Sequence, residues 1–232
     1  MVLPIKGIQK LSLIDYPGRL CATIFTGGCN LRCPYCYNSK IVLEPDSLPN
    51  IAEREVLDLL SERKGFLDGP WVGGGEPTIH RDPPRFLYKV KSLGLLVKLD
   101  TNGTRPLMLE ELLKRGLVDY LAMDIKVPLR RYQEVVGREV PLSAIDRSIK
   151  LLRRGRVDYE FRTTVVPGIV SEGDLLEIAE LLKGSKRYVI QQFRPVNTLN
   201  PLLTQVKPYS KEELQRFREL VSHCFGECKI RL

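Results

Sequence analysis

Six short apolar, partly β-branched runs alternate with six amphipathic segments along the chain, and that alternation restricts the fold more than any other feature. The runs cover residues 20–26, 69–73, 95–100, 118–125, 157–166 and 187–193; the segments cover 52–64, 83–93, 107–115, 142–154, 172–183 and 211–223. Runs of this kind suit strands covered on both faces. Each segment ends close to a glycine (Gly65, Gly94, Gly116, Gly155, Gly184 and Gly226), the residue that most readily takes the left-handed conformation closing a helix. Start signals agree: Pro83 and Pro84 suit a first turn, Ser143 and Ser171 are candidate N-caps, and Ser210 with Glu213 forms a capping-box pattern. Six strand–helix repeats predict a parallel α/β sheet with right-handed crossovers. Six units do not close an eightfold barrel, which leaves a partial barrel or an open doubly wound sheet. No linker divides the chain, so residues 1–232 are expected to form one domain, with 1–19 an N-terminal extension and 20–232 the six units.

With 43% hydrophobic residues the chain can bury a large core without disulfides. Lys6, Lys10 and Asp15 interrupt any apolar leader, and no stretch approaches the ~20 apolar residues of a membrane span. The expectation is a cytoplasmic protein with no membrane association. Six cysteines in such a chain point to metal or redox chemistry before disulfides. The net charge of +8 fits an acidic partner, RNA among them. Its plainer reading is a charged surface of the thermophile kind, because Lys and Arg are interspersed with Glu and Asp.

Three of the cysteines, Cys29, Cys33 and Cys36, fall within eight residues in the long connection after the first strand. Zinc sites normally supply four ligands, and iron–sulfur clusters are usually held by four thiolates. Here there are three, and the two histidines, His80 and His223, are distant in sequence. Three thiolates would leave one iron open to a substrate or cofactor. An incomplete zinc knuckle completed by Cys224 or Cys228 is the alternative, and would make a non-catalytic metal protein. Cys21 reads as a buried apolar residue, and Cys224 with Cys228 as a local disulfide or two ordinary thiols.

The other strand ends carry polar or glycine-rich strings. Gly73, Gly74, Gly75, Glu76 and Pro77 follow the second strand; glycines permit close backbone approach to a ligand, and Glu76 suits an ammonium group. Asp100, Thr101, Asn102 and Gly103 follow the third. Asp124 and Lys126 follow the fourth, on one face of an extended segment. Arg162 opens a string running to Val165, Val166, Pro167 and Gly168, and its guanidinium suits bidentate anion binding. Gln191, Gln192, Phe193 and Arg194 end the sixth strand. Taken singly, each string is also an ordinary turn or a salt-bridged strand end.

Taken together they resemble the radical S-adenosylmethionine (SAM) superfamily, whose signature is CxxxCxxC with an aromatic residue, here Tyr35, before the last cysteine. The resemblance implies a partial (β/α)6 TIM-type barrel. It also implies a [4Fe–4S] cluster on Cys29, Cys33 and Cys36, and SAM chelated to the open iron, held by Gly74, Gly75 and Glu76. The strings at Asp100, Asp124–Lys126 and Arg162 resemble those of glycyl-radical-enzyme activases. This implies Asp100, Asn102 and Arg162 near SAM, Asp124 and Lys126 in the active site, and a monovalent cation beside the aspartates. Residues 12–18 and 207–209 extend the likeness to the branch of anaerobic ribonucleoside-triphosphate reductase activating proteins, related to pyruvate formate-lyase activating enzymes. By that likeness the reaction installs a glycyl radical on a partner such as anaerobic ribonucleotide reductase. Residues 40–66 contain no cysteine, so one cluster and an external donor such as ferredoxin or flavodoxin are implied. Radical modification of RNA or of a small metabolite is the alternative within the same chemistry.

Overall fold

Alternating side chains decide how the strands of this sheet are used. In the strand at 98–101 Lys98 and Asp100 point one way and Leu99 the other; in the strand at 158–165, Glu160 and Arg162 oppose Phe161. The computed structural model describes residues 3–232. The chain runs β1 (Ile5–Ser12), β2 (Cys21–Thr26), α1 (Ser39–Leu43), α2 (Glu53–Glu62), β3 (Gly69–Gly74), α3 (Pro83–Ser92), β4 (Lys98–Thr101), α4 (Pro106–Lys114) and β5 (Tyr120–Asp124). It continues with α5 (Tyr132–Val136), α6 (Leu142–Arg153), β6 (Asp158–Val165), α7 (Glu172–Leu182), β7 (Arg187–Gln192), α8 (Lys211–Val221) and β8 (Glu227–Arg231).

The eight strands form one sheet in chain order, β2 to β8 parallel and β1 antiparallel to β2. The six expected units are present as β2 to β7 with their helices. Two strands were not expected. The segment read as an N-terminal extension supplies β1, and Glu227–Arg231 adds β8 beyond the last helix. β1 alternates poorly (its middle is exposed), and β8 is only half-buried, so neither carries the apolar run that marks an interior strand.

Apolar side chains on the helix-facing side, including Val72, Leu99, Leu121, Phe161 and Ile190, pack with Val56, Leu60, Phe86, Leu112, Ile149 and Ile178 into the main core. The concave face is different. It carries Lys98, Asp100, Glu160 and Arg162, so these strands are not apolar on both sides as expected. Trp71, Tyr16, Cys21 and Tyr120 form a small aromatic floor on that face.

Helix ends follow their signals with two exceptions. Ser171 with Asp174 and Ser210 with Glu213 form reciprocal capping boxes. Gly65, Gly94, Gly116, Gly155 and Gly184 take positive φ at the stops, whereas Gly226 does not. Ser143 lies inside α6, whose N-cap position is Pro141, so the serine was misplaced by two residues.

Candidate active site

Parallel pairing sets the strand ends level. Thr26 pairs with Gly74, Thr101 with Met123, and Asp124 with Arg162. The loops that follow these ends therefore surround one cavity of about 570 Å³. Cys29, Cys33, Cys36, Tyr35, Gly74, Gly75, Glu76, Asp100, Asn102, Asp124, Lys126 and Arg162 all line it.

The cysteine loop has little regular structure of its own and is tied down from outside. Gly28 N–H donates to Ile41 O (2.9 Å) and Arg32 N–H to Val136 O (2.8 Å), while Leu199 and Asn200 donate to Cys36 O and Pro34 O (3.0 and 2.8 Å). α5, the short helix behind this loop, also reaches the β5 end: Tyr132 Oη accepts from Lys126 N–H at 3.3 Å. The glycine loop meets the cysteine loop face to face. Gly75 N–H donates to Thr26 O (2.9 Å), Glu76 N–H to Gly28 O (2.8 Å), and Asn38 Nδ2 to Gly74 O (2.9 Å). At Gly74 φ is +92°, and at Gly73 an added Cβ would lie 2.4 Å from the Trp71 ring.

Glu76, 2% exposed, is a brace between loops. Its Oε1 accepts from Thr78 N–H (3.1 Å), Thr78 Oγ1 (2.5 Å) and Thr101 Oγ1 (2.9 Å); its Oε2 accepts from Asn102 N–H (2.6 Å). Burial raises its pKa despite those donors.

A continuous run of opposite charges crosses the floor beside it. Lys98 Nζ meets Asp100 Oδ1 at 2.6 Å, Arg162 Nη1 meets Asp100 Oδ2 at 2.6 Å, Arg162 Nε meets Asp124 Oδ1 at 2.5 Å, and Lys126 Nζ meets Asp124 Oδ2 at 3.1 Å. Burial alone would raise both carboxyls; Arg162, with Lys98 on one side and Lys126 on the other, outweighs it and holds them below the usual carboxylate range. Burial opposes the charge on Lys126 too, and Asp124 overcomes it, raising the lysine. Lys98 is only 1% exposed, and there burial wins and lowers its pKa.

The residues fit an iron–sulfur cluster on three thiolates. The three cysteines share one cavity, whose lining among the described residues includes no histidine and no other cysteine. Burial pushes Cys29 up to about 12 and Cys33 up to about 11, and the charge of a bound metal would favour the thiolates. Cys224 and Cys228 are free thiols outside the cavity lining, and Cys21 is fully buried in β2. The zinc knuckle completed from the C-terminus is therefore not formed.

Lys98 and Trp71 were not singled out from sequence, although both line the cavity. Their signals were present: a lysine two residues before Asp100 in an otherwise apolar strand, and the single tryptophan two before Gly73. Among the described residues no helix is long and apolar enough to cross a membrane.

This fold and this cavity define an enzyme of one class. Residues 23–182 match the radical SAM superfamily model, and the chain belongs to that superfamily. The family implies a [4Fe–4S] cluster and SAM as its cofactors. A Methanocaldococcus jannaschii protein assigned as a glycyl-radical enzyme activating enzyme is 36% identical over 98% of this chain and 95% of its own length. The pyruvate formate-lyase-activating enzyme of Clostridium pasteurianum is 27% identical over 84% of this chain and 82% of its own. In fold the chain is similar to Streptococcus suis SuiB bound to SAM (TM-score 0.65, 15% identity, 87% of this chain and 48% of that one). It is also similar to a domain of a Bacteroides vulgatus pyruvate-formate lyase-activating enzyme (TM-score 0.54, 18% identity, 69% and 96%).

Proposed function

We propose that residues 1–232 act as one domain that installs a glycyl radical on a partner enzyme, anaerobic ribonucleotide reductase being the partner most in keeping with the sequence. The observation that carries the radical chemistry in this reading is the clasp between two loops: Glu76 N–H on Gly28 O and Gly75 N–H on Thr26 O hold the cysteines and the glycine loop together on one cavity, and the 36% identity to the Methanocaldococcus jannaschii activating enzyme supports the glycyl-radical step. Cys29, Cys33 and Cys36 would hold the cluster, which would supply the electron for reductive C–S cleavage of bound SAM.

The chain's own residues bind and orient. Gly74 and Gly75 bring backbone close to the methionine end of SAM, and Glu76 Oε2, with one protein donor, keeps a lone pair for its ammonium. Asn102 and Asp100 border the same wall. Arg162 uses three N–H groups on the two aspartates and has two left for an anionic group. Lys126, held by Asp124, faces the substrate side, and Tyr35 closes the wall between Cys33 and Cys36. A monovalent cation beside Asp100 and Asp124 would first have to displace Arg162 from one of them. A low-potential donor of the ferredoxin or flavodoxin kind delivers the electron.

The test is anaerobic incubation of the iron-loaded protein with SAM, reductant and anaerobic ribonucleotide reductase, read by electron paramagnetic resonance. A glycyl doublet on the partner is expected. SAM cleavage without any doublet, across candidate glycyl radical enzymes, would remove the activase reading and leave the superfamily chemistry.

A further inference from the structure

Of the three cysteine sulfurs, Cys29 alone receives a side-chain hydrogen bond among the described residues. Leu31 N–H lies 3.4 Å from Cys29 Sγ, and Asn102 Nδ2 lies 3.8 Å from it on the other side. The Asn102 amide is 5% exposed, and its orientation is fixed by its partners. Thr104 N–H, which can only donate, points at Asn102 Oδ1 (3.0 Å), and Thr104 Oγ1 lies 2.7 Å from the same oxygen. The Nδ2 group therefore faces Asn30 Oδ1 at 2.9 Å and Cys29 Sγ, with one hydrogen for each. Asn30 closes the ring by donating to Thr104 Oγ1 (2.8 Å). Behind it, Asn102 N–H is anchored on Glu76 Oε2.

We propose that Asn102 is a positioning residue that sets the reduction potential of the cluster through Cys29. The inference rests on the reading that Cys29, Cys33 and Cys36 hold that cluster. A reduced cluster carries one more negative charge, and part of it resides on the thiolate sulfurs. A donor aimed at a sulfur stabilises the reduced state more than the oxidised one, which raises the potential. Asn102 is buried and Cys29 half-buried, so water does not replace a lost donor at full strength. The Glu76 brace acquires a second use: by holding the Asn102 backbone, it fixes the distance over which the amide acts. The asymmetry makes the Cys29 corner of the cluster the one that a side-chain donor addresses.

Asn102→Ser tests this, because a serine hydroxyl retains the turn to Thr104 N–H but is too short to reach Cys29. Asn102→Asp keeps the length and the turn and replaces the donor with a carboxylate. Each anaerobically loaded protein would be titrated without SAM, following the reduced-cluster resonance. Asn102→Ser is expected to shift the reduction equilibrium about tenfold toward the oxidised form, 59 mV for a one-electron couple. Asn102→Asp is expected to move further in the same direction. Full four-iron loading with a reduction equilibrium within twofold of the parent protein overturns the proposal. Should the serine variant not hold four irons, the aspartate variant decides by the same criterion. A parent protein that binds no four-iron cluster would instead bring down the functional reading itself, and the iron count separates the two failures.

Discussion

Gly75 and Gly28 touch so closely that a Cβ on Gly75 would lie 2.0 Å from the carbonyl oxygen of Gly28. Two loops separated by two helices and one strand, α1, α2 and β3, thus meet backbone to backbone. The contact is what brings the thiols and the glycine loop to the same cavity end.

Gly75→Ala should therefore push the loops apart. Overpacking against backbone cannot relax by rotating a side chain, and a loss of about 3 kcal/mol or more is expected. Gly116→Ala has nothing within 4 Å and strains only a φ of +62°, so about 1 kcal/mol is expected there. Urea unfolding of the metal-free proteins compares them; equal losses would mean that the loop contact has no special weight.

Replacing Cys29, Cys33 or Cys36 by Ala should each abolish stoichiometric four-iron loading. The same change at Cys224 or Cys228, both outside the cavity lining, should leave it intact. Iron and sulfide analysis after anaerobic reconstitution reads the outcome directly. Normal loading in any of the first three variants would end the cluster assignment.

Arg162 neutralises two buried carboxylates at once, so Arg162→Met leaves Asp100 and Asp124 with only one lysine each. Breaking a buried pair by removing one partner costs about 3–5 kcal/mol. The exposed pair Lys150–Asp146 gives a contrast, since Lys150→Met should cost no more than about 0.5 kcal/mol. Thermal unfolding of both variants decides it, and similar small effects would show that the charged run is not buried in solution.

The same run predicts acid sensitivity. Asp100 and Asp124 have pKa values lowered on folding, so their contribution is fully present above the unfolded carboxylate value of about 4. It is lost as pH falls from there through the folded values, at up to about 1.4 kcal/mol per pH unit for each group. Asp124→Asn should be less stable than the parent at pH 7 yet fall less steeply below pH 4. Parallel stability–pH curves for the two proteins would contradict the charge run.

Much of this was legible from residue order. Interior strands of parallel sheets must be apolar toward the helices, and β2 to β7 announced themselves for that reason. Helix stops at five glycines and starts at Ser171 and Ser210 follow from backbone geometry alone. The edge strands did not announce themselves. Their stability comes from pairing with β2 and β7, not from their own patterning. The charged interior was half-visible: Asp100, Asp124, Lys126 and Arg162 drew notice as strand ends, while Lys98 did not, because a lysine inside an apolar run reads as noise until its partner is known.

What the sequence determined by itself was the inventory: three thiols at fixed spacing, glycines where a side chain would not fit, and six repeats that oblige a parallel sheet. Local chemistry is enough for that, because spacing, φ preference and periodicity act over a few residues. Tertiary structure alone decided that Glu76 braces Asn102 and Thr101, that Arg162 bridges two aspartates, and that Asn102 turns its amide toward Cys29. Each of these joins residues 25 or more positions apart, and only strand register and loop docking bring such groups within hydrogen-bond reach.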